Sequence, residues 1–238
     1  MKPSSVVLPP WLWAATLGAI GLSCSGTPAP PAPSCRPPTR PPVVAPPPDV
    51  PCPTAAELDL VDREVPVTFE GASAIGALVC RAIDGSRDLT DVQKDVYQAL
   101  VLMKSLTFDA PLPWTSFALY DWFKFSVAGV RIRTDIANDG CCMPARVISL
   151  RAVTSNTAAT RWSALETMVH EARHAGGTQH TCGTNDKTIA ELGSYGVQYY
   201  TMLWIGSHWP AASQAERDFA LNRAALLRAS GAFCQECE

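Results

Sequence analysis

The 238-residue sequence predicts an α+β fold, mostly helical with a small antiparallel β-hairpin, preceded by an N-terminal segment that does not fold. Three observations carry this. Beyond residue 54, apolar side chains recur mainly at spacings of three and four, the signature of helices packed by one face. Period-two alternation is confined to two short stretches, residues 130–133 and 148–152. And 16 of the 21 prolines fall within residues 1–54. A composition of 47% hydrophobic and 17% charged residues excludes disorder of the whole chain. The net charge of −3 leaves no cationic surplus to neutralise a phosphate backbone, so nucleic acid is not an expected partner.

The N-terminal residues read as an address. Lys2 precedes an apolar run over 6–22 that Pro9 and Pro10 interrupt. After these prolines about 12 apolar residues remain, short of the roughly 20 that span a bilayer as a helix. Residues 1–23 are therefore expected to be an export signal. Gly21-Leu22-Ser23-Cys24 resembles the lipobox of bacterial lipoproteins, which implies that Cys24 is acylated and tethers the chain to a membrane of the cell envelope; cleavage nearby without acylation would instead release a secreted protein. Residues 24–53 form a proline-rich linker, with 13 prolines between 28 and 53. Such a composition builds no packed core. In polyproline II conformation it would reach up to roughly 80 Å, as a stalk. Nine cysteines suit an oxidising compartment. With Cys24 set aside, Cys35, Cys52, Cys80, Cys141, Cys142, Cys182, Cys234 and Cys237 remain for disulfides of open connectivity.

The folded domain is expected over 54–238. Thr54 with Glu57, and Thr90 with Gln93, have the spacing of capping boxes and open two helices. In the second, Val92, Val96, Leu100, Met103 and Leu106 make one apolar face. After Pro111 and Pro113, the aromatic-rich stretch 114–125 predicts a short helix. The alternations Val130, Ile132 and Ile148, Leu150, Ala152 predict two half-buried strands, read as a hairpin around a loop with Asn138, Asp139, Gly140, Cys141 and Cys142. A helix then runs from about 158 until Gly176 and Gly177 stop it. Two more are expected over about 186–205 and 211–230.

The chemistry lies at the end of the 158–175 helix, in His170-Glu171-Ala172-Arg173-His174. Residues four apart share a helix face, so both imidazoles can reach one metal ion while Glu171 flanks an open coordination position. Three of the chain's four histidines, His170, His174 and His180, fall in this short stretch. Nitrogen ligands suit zinc, and three protein ligands leave a fourth position for water. The segment resembles the active-site helix of the zincin metallopeptidases. With Gly177 and His180 it extends to the HExxHxxGxxH form of the metzincin branch, which implies His180 as third ligand and Glu171 as the general base toward a zinc-activated water. A metzincin also carries a methionine in a tight turn, whereas Met202 reads as helix interior. The gluzincin branch takes its third ligand from a glutamate on a following helix, and Glu191 fits that role. Glu191, Tyr195, Gln198 and Met202 share one helical stripe, in which Tyr195 would donate a hydrogen bond to a developing oxyanion. His180 is favoured over Glu191 on the glycine and histidine spacing. The expected function is a zinc metallopeptidase acting on a peptide or protein substrate; the alternative is a non-catalytic envelope lipoprotein, a binding or scaffold module with structural metal or none.

Overall fold

The computed structural model describes residues 38–48, 50–70, 78–80, 89–136, 140–142, 145–151 and 160–235. All belong to the larger of two compact units, Cys35–Glu238. The export signal, Cys24, Cys35, Cys237 and the linker up to residue 37 lie outside the described residues.

The element order is α1 (Ala55–Glu64), β1 (Val67–Glu70), β2 (Leu78–Cys80), β3 (Leu89–Thr90), α2 (Asp91–Ser105), α3 (Leu119–Ser126), β4 (Gly129–Arg133), β5 (Gly140–Cys142), β6 (Val147–Arg151), α4 (Arg161–Ala175), α5 (Ser194–His208) and α6 (Gln214–Arg228). The fold is α+β with a helical majority. Both expected capping boxes are made: Thr54 and Thr90 accept from the backbone N–H of Glu57 and Gln93, whose side chains reach back to the cap N–H. Ser213 and Glu216 form a third, which starts α6 three residues later than the apolar spacing alone suggests. The aromatic helix is likewise shorter than expected, opening at Leu119.

The strands correct one expectation. β4 and β6 are neighbours with Val130 opposite Ile148 and Ile132 opposite Leu150, but they run parallel and are not a hairpin. Alternation reveals which face of a strand is buried and is silent about direction. The segment between them carries β5, which pairs antiparallel with the far side of β6. With β1 parallel to β4, the sheet order is β1-β4-β6-β5. Val130, Ile132, Ile148 and Leu150 form its buried face, while Arg131 and Arg133 lie on the other and pair with Glu70.

The buried face joins a helical core centred on α4. Trp162, Leu165, Met168, Val169 and Ala172 are all essentially inaccessible, as are Leu100 and Met103 of α2 and Val197, Met202 and Ile205 of α5. Burying such side chains at about 1.5–3 kcal/mol each fixes the position of α4, and with it the motif at its end. Met202 therefore sits inside a helix.

The last part of the proline-rich segment is attached to this domain. The Asn222 amide donates to Pro42 O (2.7 Å) and accepts from Val44 N (2.9 Å). Gln98 Nε2 donates to Val50 O and Pro51 O, and Cys52 is joined to Cys80. Among the described residues no helix is long and apolar enough to cross a membrane.

Candidate metal centre

α4 carries His170 and His174 on successive turns, with ring centroids 5.0 Å apart. The helix ends at Gly176, and Gly177 adopts φ +91°, a left-handed conformation that a side chain would disfavour. Its N–H donates to His174 O (2.8 Å), and the chain turns back beneath the helix end. That reversal brings His180 Nε2 to 3.2 Å from His174 Nε2. One ring nitrogen from each of His170, His174 and His180 lies within 4.8 Å of the other two, close enough to hold one metal ion.

The opposite nitrogens decide the tautomers. His170 Nδ1 lies 3.3 Å from Gln198 Oε1, His174 Nδ1 lies 2.7 Å from Thr178 O, and His180 Nδ1 lies 2.9 Å from Asp186 Oδ1. Each partner is an oxygen acceptor, so in a neutral ring these contacts favour the tautomer with the proton on Nδ1 and the lone pair on Nε2. Ser194 Oγ adds a contact to His174 Nδ1 at 3.1 Å. Burial pushes the His170 imidazolium down to a pKa of about 4, with His174 and His180 adding to the effect. Burial also lowers His174. His170 is therefore neutral at physiological pH, the form that binds metal.

Asp186 is the residue that the sequence did not disclose. It is completely buried, and its carboxylate serves two elements. Oδ1 accepts from His180, while Oδ2 accepts from Tyr195 N (2.9 Å) and Gly196 N (3.2 Å) in the first turn of α5. It thus acts as an N-cap supplied from the loop that leads into α5 rather than from the cap position, in a place where the helix dipole favours an anion. The residue at the cap position itself is Gly193, and a Cβ there would overlap the Asp186 carboxylate. A glycine just before an apolar helix is the one local signal that another group does the capping.

Glu191 is not where the helical stripe places it. It ends a short 3-10 helix, Ile189–Glu191, after which Leu192 takes a left-handed φ of 54° and α5 begins only at Ser194. Its carboxylate accepts from Thr181 Oγ1 (2.5 Å) and Lys187 N (3.2 Å), tying the loop to itself. Of the two third-ligand candidates, His180 is in the cluster and Glu191 is outside it. Tyr195 and Gln198 of the stripe do face the histidines. The Tyr195 ring stacks on His180 (centroids 5.2 Å) and meets His170 edge-on (4.5 Å). Burial raises the Tyr195 phenol, and the charges of Asp186 and Glu171 reinforce the shift. Glu171 itself is buried, next to His170 on α4.

The His180 loop is fastened to the C-terminal segment. Cys182 is disulfide-bonded to Cys234, Asp186 N donates to Ala232 O (3.1 Å), and Cys234 N donates to Asp186 O (2.9 Å). Phe233 packs against Tyr195 and Tyr199. Comparison with protein-family models, curated proteins and solved structures finds no match for this chain.

Proposed function

We propose that the protein is an exported zinc-dependent metallopeptidase, with His170, His174 and His180 as the zinc ligands. The observation that supports this most directly is the pair of facing nitrogens, His174 Nε2 and His180 Nε2, 3.2 Å apart. With both rings neutral and their protons on Nδ1, two lone pairs oppose each other at that distance, an arrangement that a cation between them makes favourable. Two nitrogens at about 2.0–2.1 Å from one tetrahedral zinc lie about 3.3 Å apart, which matches. Neutral imidazoles on ordered Nδ1–H bonds are the donor set that zinc prefers.

Bound zinc supplies Lewis acidity, lowering the pKa of a coordinated water to about 7. Glu171, the residue after the first ligand on the same helix, takes the proton of the attacking water and later delivers it to the leaving amine. Tyr195, stacked on His180, donates its phenolic hydrogen to the oxyanion that develops at the scissile carbonyl. The substrate class is a peptide or unfolded protein outside the cytoplasm, reached from a membrane tether if Cys24 is acylated.

Zinc content of the full chain produced through an oxidising secretion route tests the reading. One zinc per chain is expected, lost in His170→Ala/His174→Ala. Glu171→Gln should retain the metal and reduce cleavage of an unfolded protein by about 10²–10⁴-fold. A wild-type protein that binds no zinc overturns the proposal; zinc binding with equal cleavage by wild type and Glu171→Gln removes the catalytic role of Glu171.

A further inference from the structure

His174 and His180 are oriented by a backbone carbonyl and by a carboxylate of their own loop. His170 is oriented differently, through side chains that reach across three helices. Its Nδ1 faces Gln198 Oε1 on α5; Gln198 Nε2 donates to Glu166 Oε2 on α4 (2.9 Å); and Glu166 is gripped by Arg223 of α6 through Nε to Oε1 and Nη2 to Oε2, both 2.8 Å. Glu166 is 4% exposed, so its carboxylate is shielded from solvent between Gln198 and Arg223, which are themselves partly buried.

We infer that Arg223, Glu166 and Gln198 form a positioning relay that selects the metal-binding tautomer of His170. The inference rests on the metal-site reading above and assigns the residues that prepare one of its ligands. Donors and acceptors can be ordered along this chain in only one way. Arg223 has only donors, so it holds Glu166 as an acceptor. An ionised carboxylate has only acceptors, so the Gln198 atom that faces it is the NH₂. The amide oxygen must then face His170. An oxygen cannot donate, so the proton of the neutral imidazole resides on Nδ1, and Nε2 is left with its lone pair. Without the charge at 166 the Gln198 amide has no reason to prefer this orientation. Turned over, it would donate to Nδ1, move the ring proton to Nε2 and block the nitrogen required for the metal. None of the three relay residues touches the metal position; they act through His170.

The relay can be tested in metal-free protein, independently of zinc binding or activity. The ¹⁵N shifts of His170 at neutral pH should report the Nδ1–H tautomer in the wild type. Glu166→Gln, which keeps the volume, should yield a mixture or the Nε2–H form and lower zinc affinity by about 10–100-fold. The swap Glu166→Gln/Gln198→Glu reverses the bond between the two positions but again presents an acceptor to His170, because the amide placed at position 166 would donate to a carboxylate at 198 that accepts from His170 Nδ1. It should recover the Nδ1–H tautomer and most of the affinity. An Nε2–H tautomer in the wild type overturns the inference even if no variant folds. So does a folded Glu166→Gln protein with unchanged tautomer and zinc affinity. If the wild type shows the Nδ1–H tautomer, and Glu166→Gln shifts it, but no form binds zinc, the relay stands and the metal-site reading falls.

Discussion

His170 and His180 belong to one cluster but are held in place by opposite means. His170 is built into the interior: its helix is locked by Trp162, Leu165, Met168 and Val169, and its ring is oriented through a three-helix set of polar side chains. His180 stands on a loop between Gly177 and Gly193, whose apolar packing is a small cluster of Ile189 with Ala232 and Phe233 apart from the main core. Its position is maintained by Asp186, by backbone bonds to residues 232–235 and by the Cys182–Cys234 disulfide. The ordering of His170 is settled as part of folding the core. For His180 the ordering has to come from a covalent link and a buried carboxylate. The two halves of the centre should therefore fail under different conditions.

The disulfide offers the sharpest separation. It closes a sequence separation of 52 residues, for which the loop-entropy argument gives about 4 kcal/mol. Cys182→Ser/Cys234→Ser is expected to lower unfolding free energy by about 2–4 kcal/mol, measured by denaturant titration of the metal-free protein. The damage should be local. ¹⁵N spectra should show the His180 ring losing its Nδ1–H bond to Asp186, while His170 keeps its tautomer. Equal loss of order at both rings would show that the two supports are one cooperative unit.

Acid should strike the other half. In the unfolded chain His170 titrates near 6.5, whereas in the fold burial holds it down to about 4. Between those values the unfolded state binds a proton that the native state refuses, so stability falls as pH drops from about 6.5 through about 4. At about 1.36 kcal/mol per pKa unit, the loss approaches roughly 3 kcal/mol at the acid end. The measurement is the difference between pH profiles of unfolding for the chelator-treated wild type and His170→Gln. The variant, which has no imidazole at this position, should lose less over that window. Parallel profiles would place the acid sensitivity elsewhere.

Legibility in the sequence divides along the same line. The four-residue spacing of His170 and His174 encodes a helix face directly, and Gly177 supplies the left-handed turn that returns His180, so the cluster could be read from local rules. Capping boxes at Thr54 and Thr90 were equally local. Strand direction was not, since the alternation in 130–133 and 148–152 is the same for parallel and antiparallel neighbours. Asp186 was hidden because its burial arises from the C-terminal segment and the start of α5 closing over it, contacts that no spacing records. The stripe from Glu191 to Met202 was half right. Tyr195 and Gln198 do face the histidines, but a left-handed Leu192, a conformation that leucine seldom signals, breaks the helix before Glu191 can join them.

Glu191 supplies the smallest and most selective test of the comparison. Its carboxylate supports the His180 loop through Thr181 and Lys187 N, at an exposed site where solvent competes for both hydrogen bonds. Removing it takes away interactions worth about 0.5–1.5 kcal/mol each before that competition is counted. Glu191→Ala is thus expected to cost about 1 kcal/mol or less, and zinc affinity should change by no more than a few-fold. His180→Ala, by contrast, should abolish tight binding. This contrast separates a ligand from a loop brace, because both residues lie close in sequence and both lose a polar side chain. If Glu191→Ala lowers zinc affinity as much as His180→Ala does, the carboxylate must reach the metal in solution. The loop would then exchange its internal bonds for a ligand role, and the rigidity assigned to the disulfide-bound half would be mistaken.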